Sequence, residues 1–169
     1  MKKIKVYQID SFTSEKFKGN PAGVVVNADG MTDVQMQRIA RELNNSETAF
    51  LFSPDEADCD GVIRYFTPTR EVPICGHATI AAMVAYSLEN NLNSCILNFR
   101  TNIGILPFEI IKEHESYQVI MTQGRFELSP AFPNEISGKL FAALGLEDSD
   151  VDEKCPVQSK PSVICIFQE

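Results

Sequence analysis

Cys75-Gly76-His77-Ala78-Thr79-Ile80-Ala81-Ala82-Met83-Val84-Ala85-Tyr86-Ser87-Leu88 is the stretch on which the fold turns. It is apolar almost all round, and a helix with no polar face is buried on all sides. Its alanines at 78, 81, 82 and 85 let other elements approach closely. It is shorter than the roughly 20 residues that a bilayer crossing needs. The reading is a central helix over 77–89, threaded through the middle of a sheet or barrel.

Strand patterns lie on both sides of that helix. Upstream, Ile4 to Phe12 alternates as a strand does. Gly19-Asn20-Pro21-Ala22-Gly23 reads as a tight turn, followed by a short buried strand, Val24-Val25-Val26. Thr32-Asp33-Val34-Gln35 matches a capping box and opens a helix to about Leu43, with Met36, Ile39, Ala40 and Leu43 on one face. Asn44-Asn45 stops it. Thr48 to Phe52 and Val62 to Thr67 read as strands. Downstream, Ser94 to Phe99, Gly104 to Ile111 and Tyr117 to Met121 read as three more. Residues 1–122 therefore form a β-rich domain around one helix, and 123–133 a linker. Asn134 caps a second helix with Ile136, Leu140, Phe141 and Leu144 on one face and Gly145 at its end. Pro161 to Phe167 reads as one last strand. Residues 134–169 are too few for a domain of their own and read as the beginning of a second one.

Bulk properties narrow the function. With 169 residues and 44% hydrophobic content, the chain can build a real core. A net charge of −8 argues against non-specific nucleic-acid binding, which needs a basic face. No apolar run follows Lys2-Lys3, so no signal peptide is read, and no stretch is long enough to cross a membrane. The five cysteines lack Cys-x-x-Cys spacing and read as reduced thiols in a cytoplasm. His77 and His114 are the only histidines and are not spaced as a metal pair, so no metal is expected.

Three places could carry chemistry. Glu47 follows a helix stop and precedes an apolar strand, flanked by Ser46 and Thr48. On its own it reads as a surface carboxylate. A carboxylic acid held in a desolvated pocket at such a junction can both take and give a proton. Gly76-His77 opens the central helix, where free amides and the helix dipole suit a substrate carboxylate. Taken alone, the pair is an ordinary cap with a satisfied histidine. Cys75 is either a small buried residue or, with its pKa lowered at the helix N-terminus, a base or nucleophile.

The ordered motifs Gly19-Asn20-Pro21-Ala22, Asn45-Ser46-Glu47-Thr48-Ala49-Phe50, Arg64-Tyr65-Phe66-Thr67-Pro68 and Cys75-Gly76-His77-Ala78-Thr79 resemble the PhzF-like family of phenazine biosynthesis. The resemblance covers residues 4–145. It implies an α+β, diaminopimelate-epimerase-like fold, a mixed β-barrel wrapped around a central buried helix, in two similar domains with the active site in the cleft between them. It implies an isomerase with no cofactor and no metal that moves a proton between carbons of a small carboxylate-bearing substrate. The acid/base glutamate falls on Glu47, and the substrate-binding residues fall on Ser46, Gly76 and His77. The best-known member isomerises a dihydro-hydroxyanthranilate. A homodimer is the expected assembly, with no nucleic-acid or membrane partner.

Departures from that pattern open two other readings. Ser159-Lys160-Pro161-Ser162 stands where the family continues with a serine-threonine-glycine stretch, and the second domain is expected to be only partly present. The first domain would then keep an open sheet edge. One alternative is a cysteine-type racemase or epimerase using Cys75, since proline-racemase-like enzymes share a Cys-Gly-His turn. The other is a truncated, non-catalytic protein that self-associates.

Overall fold

The computed structural model describes residues 3–122, 129–150, 158–160 and 163–165. Contacts divide the chain into two units, 1–122 and 123–169.

The first unit is one mixed sheet curved around a helix. Its strands are β1 (Tyr7–Ser11), β2 (Asn20–Val25), β3 (Thr48–Phe52), β4 (Gly61–Phe66), β5 (Glu71–Val72), β6 (Cys95–Thr101), β7 (Gly104–Glu113) and β8 (Ser116–Met121). The order is β1-β2-β3-β4-β6-β7-β8, with β5 paired to β4. Most pairs are antiparallel, but β2–β3 and β4–β6 are parallel. A parallel pair needs a crossover connection. Here α1 (Asp33–Leu43) lies on the first crossover and α2 (Gly76–Asn90) on the second.

The sequence accounts for both helices. Thr32 and Gln35 form the reciprocal capping box, and Asn44 closes α1 in left-handed backbone at φ 53°. Met36 and Ala40 are buried against Val25, Ala28, Phe50 and Phe66. The alanines of α2 at 78, 81, 82 and 85 are fully buried, and Phe99, Phe108, Tyr65 and Leu51 pack into the same core.

Two expectations are corrected in this unit. The Asn20-Pro21-Ala22-Gly23 stretch is strand, not turn: Pro21 pairs with Asp10 of β1. Proline is tolerated because β3 pairs with β2 only from Gly23 onward, so Pro21 has no ladder partner on that side. The helix α2 is not covered all round, because the sheet does not close. Strands β1 and β8 end the sheet, and Ile80, Ala81 and Val84 line a cavity of about 390 Å³ between them, with Leu88 half exposed. The fold is thus an open half-barrel.

In the second unit, α3 (Asn134–Leu144) starts from Pro133 as cap rather than Asn134, and Gly145 ends it at φ 70°. Ile136 and Leu144 on its expected apolar face are half exposed. A 3-10 turn spans Asp148–Asp150, and β9 (Gln158–Lys160) pairs antiparallel with β10 (Val163–Cys165). The expected Pro161–Phe167 strand thus holds β10. Its other residues, and 123–128 of the expected linker, lie outside the described residues. Among the described residues, no helix is long and apolar enough to cross a membrane.

Candidate active site

Two backbone devices bring Glu47 and the Cys75–His77 turn together. The first fixes Glu47. It precedes β3, and its carbonyl accepts a hydrogen bond from the Gly23 amide at 3.2 Å. A Cβ on Gly23 would lie 2.6 Å from Leu43 Cδ1 and 2.7 Å from Thr48 Oγ1. Glycine therefore lets β2 approach the strand that Glu47 leads into. The second fixes the turn. Cys75 is the extended N-cap of α2, and Thr79 N donates to its carbonyl at 3.0 Å. The cap makes no side-chain hydrogen bond, and the first turn holds no acid. The Gly76 amide is thus left for another acceptor, while those of His77 and Ala78 are turned toward the Cys75 sulfur.

His77 joins the two parts. Its Nε2 lies 3.5 Å from Glu47 Oε2 and 3.2 Å from Ser46 Oγ. Its Nδ1 lies 3.2 Å from Cys75 Sγ. The imidazole is 11% exposed and the Glu47 carboxylate 22%, so Glu47 is not the free surface group that its loop position suggests. Burial pushes the Cys75 thiol up to about 11, and the nearby Glu47 charge adds to this against the pull of the Ala78 and His77 amides. Loss of solvent outweighs the helix amides, which pull the other way.

Ligand atoms of Glu47, Cys75 and His77 lie within 4.8 Å of one another. The imidazole turns Nδ1 to the thiol and Nε2 to the carboxylate, so the three groups form one cluster at the start of α2. The other histidine, His114, is exposed at the β7–β8 turn.

Sequence reasoning assigned no role to three residues beneath this turn. Thr79 Oγ1 donates to the Cys75 carbonyl at 2.6 Å, and Tyr65 Oη lies 2.7 Å from Thr79 Oγ1. Ser11 Oγ donates to the His77 carbonyl at 2.7 Å. Tyr65 was visible as part of the Arg64–Pro68 motif; Ser11 carried no signal. Arg64 is tied down elsewhere, bidentate to Glu71 at 2.7 Å and bonded to Asp33 at 2.8 Å.

A mixed sheet curved around one helix, with a carboxylate facing that helix's N-terminus, defines an epimerase-like α+β fold. A predicted epimerase from Pseudomonas aeruginosa shares it: TM-score 0.83, 21% identity, over 97% of this chain and 58% of that one. The family model described as phenazine biosynthesis-like protein matches residues 9–162, and the chain belongs to that family. An uncharacterized isomerase of Clostridium acetobutylicum is 55% identical over 94% of this chain and 52% of its own length. The trans-2,3-dihydro-3-hydroxyanthranilate isomerase of Pseudomonas chlororaphis is 34% identical over 83% of this chain and 49% of its own. The chain spans about half the length of the curated relatives it matches.

Proposed function

We propose that this chain furnishes the glutamate-bearing part of a PhzF-like isomerase site, with Glu47 as acid/base in a cofactor-independent proton transfer on a small carboxylate-bearing substrate. The observation that carries the reading is the 3.5 Å approach of Glu47 Oε2 to His77 Nε2 at the uncapped start of α2. Glu47 takes a proton from a carbon next to an unsaturated or carboxylate-bearing group and returns it at another carbon. Gly76 and His77 hold the substrate carboxylate at the start of the helix, where the dipole favours negative charge. His77 Nε2, in contact with both Ser46 and Glu47, orients the Glu47 carboxylate. The Pseudomonas relative's name supplies the first compound to assay, trans-2,3-dihydro-3-hydroxyanthranilate. The reading takes the full-length protein as a homodimer, which sedimentation velocity checks.

In a full-length form, Glu47→Gln is expected to lower turnover by about 100-fold or more. It should also abolish deuterium incorporation from solvent. A variant that kept both would remove Glu47 from the mechanism. The thiol-base reading of Cys75 is the weaker one, because burial keeps that group protonated.

A further inference from the structure

The residues beneath the Cys75–His77 turn form an ordered hydrogen-bond relay. The 2.6 Å contact from Thr79 Oγ1 to the Cys75 carbonyl uses the only hydroxyl proton Thr79 has, since a carbonyl cannot donate. The 2.7 Å contact between Tyr65 and Thr79 must therefore run from the phenol to the threonine. Burial holds the Tyr65 phenol protonated far above its ordinary range, so its proton is available. Tyr65 and Thr79 are fully buried, and Ser11 nearly so. Two donors, Thr79 N and Thr79 Oγ1, converge on the Cys75 carbonyl. That carbonyl shares its peptide unit with the Gly76 amide. Ser11 Oγ does the same to the His77 carbonyl, which shares its unit with the Ala78 amide.

Hydrogen bonds in chains polarise one another, and a peptide whose oxygen accepts strongly becomes a stronger donor at its nitrogen. We propose that Tyr65, Thr79 and Ser11 are positioning residues that hold the Cys75–His77 turn, and that Tyr65 and Thr79 sharpen the Gly76 amide as a donor to a substrate carboxylate. The inference rests on the carboxylate-binding reading of this turn. It assigns a task to Tyr65 of the Arg64–Pro68 motif that packing alone does not: a phenylalanine would fill the same space.

The test uses the full 169-residue chain, with amide NMR shifts and sodium benzoate as the probe. Without ligand, the Gly76 amide proton is expected to move upfield in Tyr65→Phe and Thr79→Val, and the Ala78 proton in Ser11→Ala. Benzoate binding read at Gly76 should weaken about threefold to tenfold in Tyr65→Phe and Thr79→Val, as for loss of a hydrogen bond. Thr79→Ser, which keeps the hydroxyl, should restore both readouts. Ligand-free shifts unchanged in folded Tyr65→Phe, or a Thr79→Ser that behaves like Thr79→Val, would overturn the relay. Wild-type amides at 76–78 that ignore benzoate would instead overturn the carboxylate reading of the turn, and the relay's role in binding with it.

Discussion

Cys75 shows how solvent loss and local charge decide a side chain's chemistry. Burial first, and the Glu47 charge after it, raise its pKa to about 11. The thiolate is thus penalised in the fold. The stability this group supplies is full below the ordinary thiol range and is lost as pH rises from about 9 toward about 11. Alkylation by iodoacetamide at pH 8 should therefore be slower at Cys75 in the folded chain than in urea. Glu47→Gln should speed it severalfold by removing the neighbouring charge, and mass spectrometry of the labelled peptide reads both. Gly23 offers a second check. Its Cβ would collide with Leu43 and Thr48, so Gly23→Ala should cost about 1–3 kcal/mol in urea unfolding. At this scale the residue types of the candidate site were legible in the sequence: Ser46, Glu47, Cys75 and His77 come together as their motifs suggested. Ser11, far upstream, was not, because a single serine in a strand gives no sign of the carbonyl it will reach.

At the scale of elements, local chemistry was readable wherever it was self-contained. The capping box of α1 needs only Thr32 and Gln35, and it forms. Thr32→Ala should cost about 1 kcal/mol in thermal or urea unfolding, and a Ser replacement should recover most of it. The start of β2 was misread because Gly-Asn-Pro-Ala-Gly carries turn chemistry, while its strand character comes from a partner, β1, that no local pattern reveals. Another tie between elements depends on distant residues. Arg64 on β4 clamps Glu71 on β5 and Asp33 at the start of α1. Hydrogen bonds from Arg64 hold the Glu71 carboxyl below its ordinary range, against the upward pull of burial. A depressed carboxyl adds stability above its unfolded pKa and loses it as pH falls through the folded one. Glu71→Gln should thus cost about 1–2 kcal/mol near neutrality, and the gap to wild type should shrink in acid unfolding curves.

The larger of the first unit's two cores lies between sheet and α2. Phe99 is fully buried there, edge-on to Tyr86 at 5.3 Å and near Phe108 at 6.4 Å. Phe99→Ala should cost about 3–5 kcal/mol in urea unfolding, with little change in the slope. The all-apolar pattern of α2 announced a central helix but could not tell whether the sheet closes over it. A helix facing a gap and a helix facing a strand carry the same alanines and valines. The two parallel joints have one more consequence, in the order of assembly. Strands β6, β7 and β8 pair with their neighbours in sequence, whereas β2–β3 and β4–β6 close only after α1 and α2 have been spanned. Local pairings cost less loop entropy and form sooner. In refolding followed by pulsed hydrogen exchange, amides bonded within the local β3–β4 pair and the β6–β8 meander should gain protection before that of Gly23, which bonds to the Glu47 carbonyl across the first parallel joint. Glu47 and His77 both lie between α1 and β6 in sequence, so the docking of α2 that closes the second joint also brings His77 to Glu47.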